Sequence, residues 1–133
     1  MKNKNIIKWI KPILNPKIIN KLTIKTVNKK EIYNLNLIYK KKPCYTNILS
    51  FPCNSFINNN ILLLGDLIIC NEIIKKEAIK QKKKIKAHYA HIIIHGTLHL
   101  LGYKHNNIKN KKIMESIEIK TLNFLNFPNP YLF

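Results

Sequence analysis

The chain has 133 residues, with 24 Lys+Arg against 6 Asp+Glu and a formal net charge of +18. That length fits one domain spanning 1–133, and 46% hydrophobic residues exclude a disordered polyelectrolyte. The longest apolar runs, Ile61–Leu64 and Ile92–Ile94, fall far short of the roughly 20 residues a membrane helix needs, so no membrane association is expected.

Every basic residue is lysine and none is arginine. Lys, Asn and Ile dominate, and all have A/T-rich codons, so the charge reads first as compositional drift. The resulting field still attracts polyanions such as RNA and ribosomes, which permits nucleic-acid binding without diagnosing it. Cys44, Cys53 and Cys70 form no CxxC pair and leave one thiol over under any pairing, which fits a reducing compartment. The N-terminal MKNKNIIKWIKPIL is interrupted by Lys8 and Lys11 and lacks a small-residue cleavage site. A secretory signal is therefore not expected, and a cytoplasmic location is.

In chain order, Pro16–Lys21 suggests a short helix or a lead-in turn, and Leu22–Asn28 alternates apolar and polar residues as a half-buried strand does. Glu31–Tyr39 fits a helical face through Ile32, Leu35 and Tyr39, and a strand face through Leu35, Leu37 and Tyr39. Lys40–Cys44 reads as a loop. Thr46–Phe51, ending at Pro52, and Ile61–Cys70 are the two best strands, and the turn-rich Cys53–Asn60 between them suits a hairpin. Asn71 is placed to cap a helix reaching about Lys83, with Glu72 in its first turn. A second helix covers about Lys86–Leu101 and stops at Gly102; a third covers about Lys109–Leu125 and ends at Asn126. Strands first and helices after make an α+β fold.

Four of the five histidines, His91, His95, His99 and His105, fall within 15 residues, and three of them sit in HGTLHLLGYKH. His95 and His99, four apart on a helix, project from one face, and the stop at Gly102 lets the chain return His105 as a third ligand. Three neutral imidazoles with an open fourth position are the usual catalytic zinc arrangement, here one ion per chain. His91, one turn before His95, is expected on the helix face with an ordinary hydrogen bond, an outer position near the metal being the alternative. His88 is expected to be solvated. Metalloproteases of the HExxHxxGxxH type share the spacing, but the general-base Glu is replaced by Gly96, which argues against a peptidase.

The stretch HYAHIIIHGTLHLLGYKH resembles the signature of the YbeY single-strand-specific endoribonucleases of bacteria. TNILSFP (46–52) is similar to that family's T-D/N-V-L-S-F-P strand, LGDLIIC (64–70) to its L-G-D-I-x-I-C/S strand, and MESIEIKTLNFLNFPNPY to its closing helix and terminal P-x-P-Y. Together these cover roughly residues 22–131. The resemblance implies a small mixed sheet packed with helices, one helix carrying the HGxLH motif, and zinc on His95, His99 and His105. It further implies action on single-stranded ribosomal RNA, in small-subunit 3′-end maturation and ribosome quality control, with no small-molecule cofactor. LNLIY (35–39) matches the family's L-N-x-x-Y, which places its conserved cleft Arg at Lys40, the implied catalytic position. Lys40 keeps the charge without the bidentate fork, and Lys104 stands where the family has Asp in G-Y-D-H.

No carboxylate stands out as a general base; Asp66 and Glu72 are candidates by elimination only. Tyr45, Phe51 and Tyr89 could stack on bases, although a core or rim position is the ordinary expectation for each. The lysine clusters 40–42 and 82–84 suit phosphates or simply solvent. Three function classes are therefore carried forward: a zinc-dependent endoribonuclease, a ribosome assembly factor that keeps zinc for stability, and, distantly, a metallopeptidase.

Overall fold

The computed structural model describes residues 3–132. Its elements are α1 (Asn3–Ile10), β1 (Ile19–Thr26), α2 (Lys29–Lys40), β2 (Ile48–Asn58), β3 (Ile61–Ile69), α3 (Asn71–Lys80), α4 (Ile85–Leu100) and α5 (Ile108–Phe124), with a 3₁₀ turn at Lys11–Ile13. The sheet order is β1-β3-β2; β3 is central, parallel to β1 and antiparallel to β2. The expected α+β class with a mixed sheet is what forms.

Local chemistry accounts for the boundaries. Glu31–Tyr39 resolves as helix because Asn28 caps it, its side chain accepting from the Glu31 N–H at 2.8 Å. Ile32 is then buried and Leu35 packs beside it. Asn107 caps α5 in the same way through the Asn110 N–H. The stop at Gly102 holds: its φ of +100° lets the Tyr103 N–H reach back to the Leu98 carbonyl at 3.0 Å.

Of the two readings of Pro16–Lys21, the lead-in turn holds and the short helix does not: a turn at Pro16-Lys17 leads into β1, which begins at Ile19 and pairs with Ile61 on β3. Other expectations need correcting. The strand at 46–51 does not end at Pro52 but runs to Asn58. Pro52 is tolerated there because β2 is an edge strand with a bulge between Pro52 and Ser55. The turn in 53–60 consequently shrinks to Asn59-Asn60. The helix from Asn71 stops at Lys80 rather than near Lys83, since Lys82 turns left-handed and the Lys83 N–H closes on the Ala78 carbonyl.

The sheet is covered on both faces. Ile32 and Leu35 of α2 meet Leu49, Phe51, Ile68 and Cys70 on one side. On the other, Leu64, Leu67 and Ile69 meet α4. Leu64 and Leu67 share that side, three residues apart, because the ladder shifts between Lys21↔Leu63 and Leu22↔Gly65 and leaves Leu64 unpaired. Alpha4 is buried nearly all round, and α1, α3 and α5 pack against it.

Gly96 explains how α4 sits so close to the sheet. A Cβ there would lie 2.5 Å from Ile48 Cδ1 and 3.0 Å from Leu67 Cδ2, and its carbonyl accepts from Ser50 Oγ at 3.2 Å. A side chain at 96 would run into the strands, so this position has no room for the glutamate a metallopeptidase would need. Gly96→Ala is expected to lower stability by about 1–3 kcal/mol through overpacking. Urea unfolding with an unchanged m-value would show it as a shift in midpoint.

Candidate metal centre

Alpha4 and the turn after it bring His95, His99 and His105 together. One nitrogen from each lies within 4.8 Å of the others, so the three could hold a metal ion. The arrangement follows from helix geometry: His95 and His99 are one turn apart with ring centroids 4.7 Å apart, and Gly102 reverses the chain so that His105 lies 4.7 Å from His99.

The outer nitrogens fix what the inner ones can do. His95 Nδ1 is 2.7 Å from Glu118 Oε2, and His99 Nδ1 is 3.1 Å from the Tyr103 carbonyl oxygen. A carboxylate and a carbonyl only accept, so both Nδ1 atoms carry a proton, and in the neutral rings both Nε2 atoms present lone pairs. Those two Nε2 atoms are 3.2 Å apart. Two lone pairs at that distance repel unless a cation lies between them. Two nitrogens bound to one tetrahedral ion at ~2.0–2.1 Å would stand about 3.3 Å apart. The donor set therefore fits a divalent metal. His99 is also kept neutral: burial, then the neighbouring His95 and His105, depress its pKa to about 4, against the opposing pull of the Tyr103 carbonyl and Glu118.

Glu118 is the residue that sequence reasoning missed as a site component. It is 0% exposed, on α5, and its two oxygens serve two histidines: Oε2 accepts from His95, while Oε1 lies 2.8 Å from His91 Nε2 and accepts from the Tyr131 hydroxyl. Burial alone would raise its pKa, but the hydrogen bonds from His91, His95 and Tyr131 prevail and hold it at about 2. Tyr131 is correspondingly raised, by burial and by that carboxylate. A signal was available: Met114, Glu118 and Leu122 are successive i, i+4 positions, and a carboxylate between two buried apolar residues on one stripe demands partners.

The other candidates sort clearly. His91 takes the outer position, bonded to the same carboxylate as His95 rather than to solvent. His88 is not solvated: it is 4% exposed, with Nε2 3.0 Å from Glu77 Oε1, which also accepts from Asn47 Nδ2 at 2.9 Å. Burial in the cleft between α3 and α4 accounts for it. The histidines open onto a groove of 690 Å³ that Lys40, Lys42, Lys104 and Tyr45 also line. Asp66 and Glu72 are exposed and do not line it, and among the described residues no carboxylate does. Phe51 is half-buried with Lys40 Nζ 5.4 Å from its ring centre, and Tyr89 is buried, donating to Asn71 Oδ1 at 2.6 Å. The three cysteines are free thiols.

Two outcomes test this geometry. Glu118→Gln should weaken metal binding about 10–100-fold by releasing the His95 tautomer, read by competition with a chromophoric chelator. In the metal-free protein, the stabilisation from the depressed Glu118 pKa is complete above the ordinary carboxylate value of 4.5 and is lost as pH falls toward about 2. Glu118→Gln should flatten the stability profile across that window, measured by urea midpoints at stepped pH.

The family model described as endoribonuclease YbeY matches residues 1–126. The endoribonuclease YbeY of Buchnera aphidicola from Schizaphis graminum is 53% identical over 125 residues, covering 93% of this chain and 79% of the relative. That of Wigglesworthia glossinidia brevipalpis is 53% identical over 125 residues, covering 92% and 82%. That of Buchnera aphidicola from Acyrthosiphon pisum is 51% identical over 137 residues, covering 98% and 88%. The solution structure of TM1509 from Thermotoga maritima superposes with a TM-score of 0.54 at 18% identity, over 92% of this chain and 80% of that one, which shows a shared fold. By the match along almost its whole length, the chain belongs to the YbeY endoribonuclease family.

Proposed function

We propose that this chain is a cytoplasmic, zinc-dependent endoribonuclease that cuts single-stranded ribosomal RNA, in small-subunit 3′-end maturation and in ribosome quality control. The observation that carries the chemistry is the pair of inward Nε2 lone pairs 3.2 Å apart, with His105 beside them, at the wall of a lysine-lined groove. Family membership supports the substrate class.

His95, His99 and His105 would hold the ion; three imidazoles suit zinc. When bound, it supplies Lewis acidity toward a phosphoryl oxygen and lets water act as a nucleophile near neutral pH. The chain's own residues do the rest. Glu118 and the Tyr103 carbonyl hold two of the ligands in the metal-binding tautomer. Lys40 and Lys104 present ammonium groups to the groove, where a phosphodiester would lie. Lys40 is the residue assigned to neutralise charge on the reacting phosphate.

A second reading is favoured by those same two lysines: with Lys for Arg at 40 and Lys for Asp at 104, the chain would act as an assembly factor with weakened chemistry. One experiment separates them. The purified protein should cleave a single-stranded ribosomal RNA fragment, and both a chelator and His99→Ala should abolish cleavage. Lys40→Ala should lower kcat/KM by about tenfold or more, and Lys40→Arg should restore it. A folded, metal-loaded protein that cuts nothing, with His99→Ala lowering only the melting temperature, would support the assembly role instead. Casein should be left intact in all cases.

A further inference from the structure

Tyr45 lies on the loop between α2 and β2 and lines the groove that holds the histidine cluster, yet it is 58% exposed. An exposed ring on a loop is ordinarily free to move. This one is held from three directions. Asn36, buried on α2, donates to the Cys44 carbonyl at 3.0 Å and pins the residue before it. The Tyr33 ring lies 5.0 Å away at 54°, and Lys29 Nζ lies over one face of the Tyr45 ring, 5.2 Å from its centre. A held aromatic ring with an ammonium over one face, in a groove that also presents Lys40, Lys42 and Lys104, offers its opposite face for a base and separate cations for phosphates.

Resting on the ribonuclease reading above, we propose that Tyr45 is the stacking platform for one unpaired nucleobase of the bound strand. A base inside a duplex has both faces covered by its neighbours, so only an unpaired or terminal base can occupy the ring. Tyr45 thus gives the groove a means of selecting single strands that needs no base-edge hydrogen bonds. It is a specificity residue; nothing in its position brings it into contact with the reacting phosphate.

The test measures binding of a fluorescent 2′-O-methyl single strand of about ten nucleotides to the metal-loaded protein by anisotropy, and repeats it with an abasic residue at each position in turn. Tyr45→Ala should weaken binding about tenfold or more and Tyr45→Phe should bind as the parent does, since stacking needs the ring and not the hydroxyl. One abasic position should cost the parent the same factor and cost Tyr45→Ala nothing further. Both variants should keep the parent's melting temperature, because the ring is largely outside the core. Equal binding by parent and Tyr45→Ala, or an abasic penalty as large in Tyr45→Ala as in the parent, overturns the platform. If metal-dependent cleavage persists alongside that result, only the platform falls. A parent that neither binds nor cuts single strands removes the ribonuclease reading and the platform together.

Discussion

The buried carboxylate of Glu118 is the constraint on which the rest of the site depends. A charge with no exposure is costly unless its lone pairs are satisfied, and here three donors from two regions of the chain satisfy them. His91 and His95 come from α4, and Tyr131 comes from the segment after α5. Each partner is thereby tied to α5, and the last of them to the C-terminal Pro130-Tyr131 stretch, which Lys83 also anchors by donating to the Pro130 carbonyl at 2.8 Å. The same bonds decide which nitrogen of His95 faces the groove. Packing and chemistry are set by one group.

The architecture follows from giving α4 that role. A helix that must present two imidazoles along one line while remaining buried elsewhere needs apolar partners on every other side. Beta2 and β3 supply one, and α1, α3 and α5 supply the others. The absent side chain at 96 lets the helix close on the sheet. The line of His95 and His99, with His105 returned by the Gly102 turn, faces the groove, and His91 and Ile92 edge it. The groove's other wall is α2 and the loop after it, while Lys104 stands beside His105 on the turn after α4. The histidines thus come from α4 and the turn after it, while Lys40, Lys42 and Tyr45 reach the groove from α2 and the loop that follows.

Much of this was legible in the sequence because it is local. The i, i+4 spacing of His95 and His99, the glycine stop at 102 and the return of His105 are consequences of helix geometry. Less visible was what depends on tertiary pairing. Pro52 reads as a strand end, and only the edge position of β2 lets the strand pass through it. His88 reads as solvated, since its partner Glu77 lies on another helix. Glu118 belongs to a motif that could be quoted without its purpose being evident; the purpose lies in two histidines 23 and 27 positions away. Sequence patterns show which residues share a face, and the fold decides which faces meet.

The central claim is that the three histidines form a metal centre on which RNA cleavage depends. The direct measurement is a titration of metal-free protein with zinc while cleavage of a single-stranded ribosomal RNA fragment is followed. Activity should rise in proportion to added zinc and reach its plateau at one ion per chain. Cleavage that is already complete before any metal is added, or that is indifferent to zinc throughout, would contradict the account.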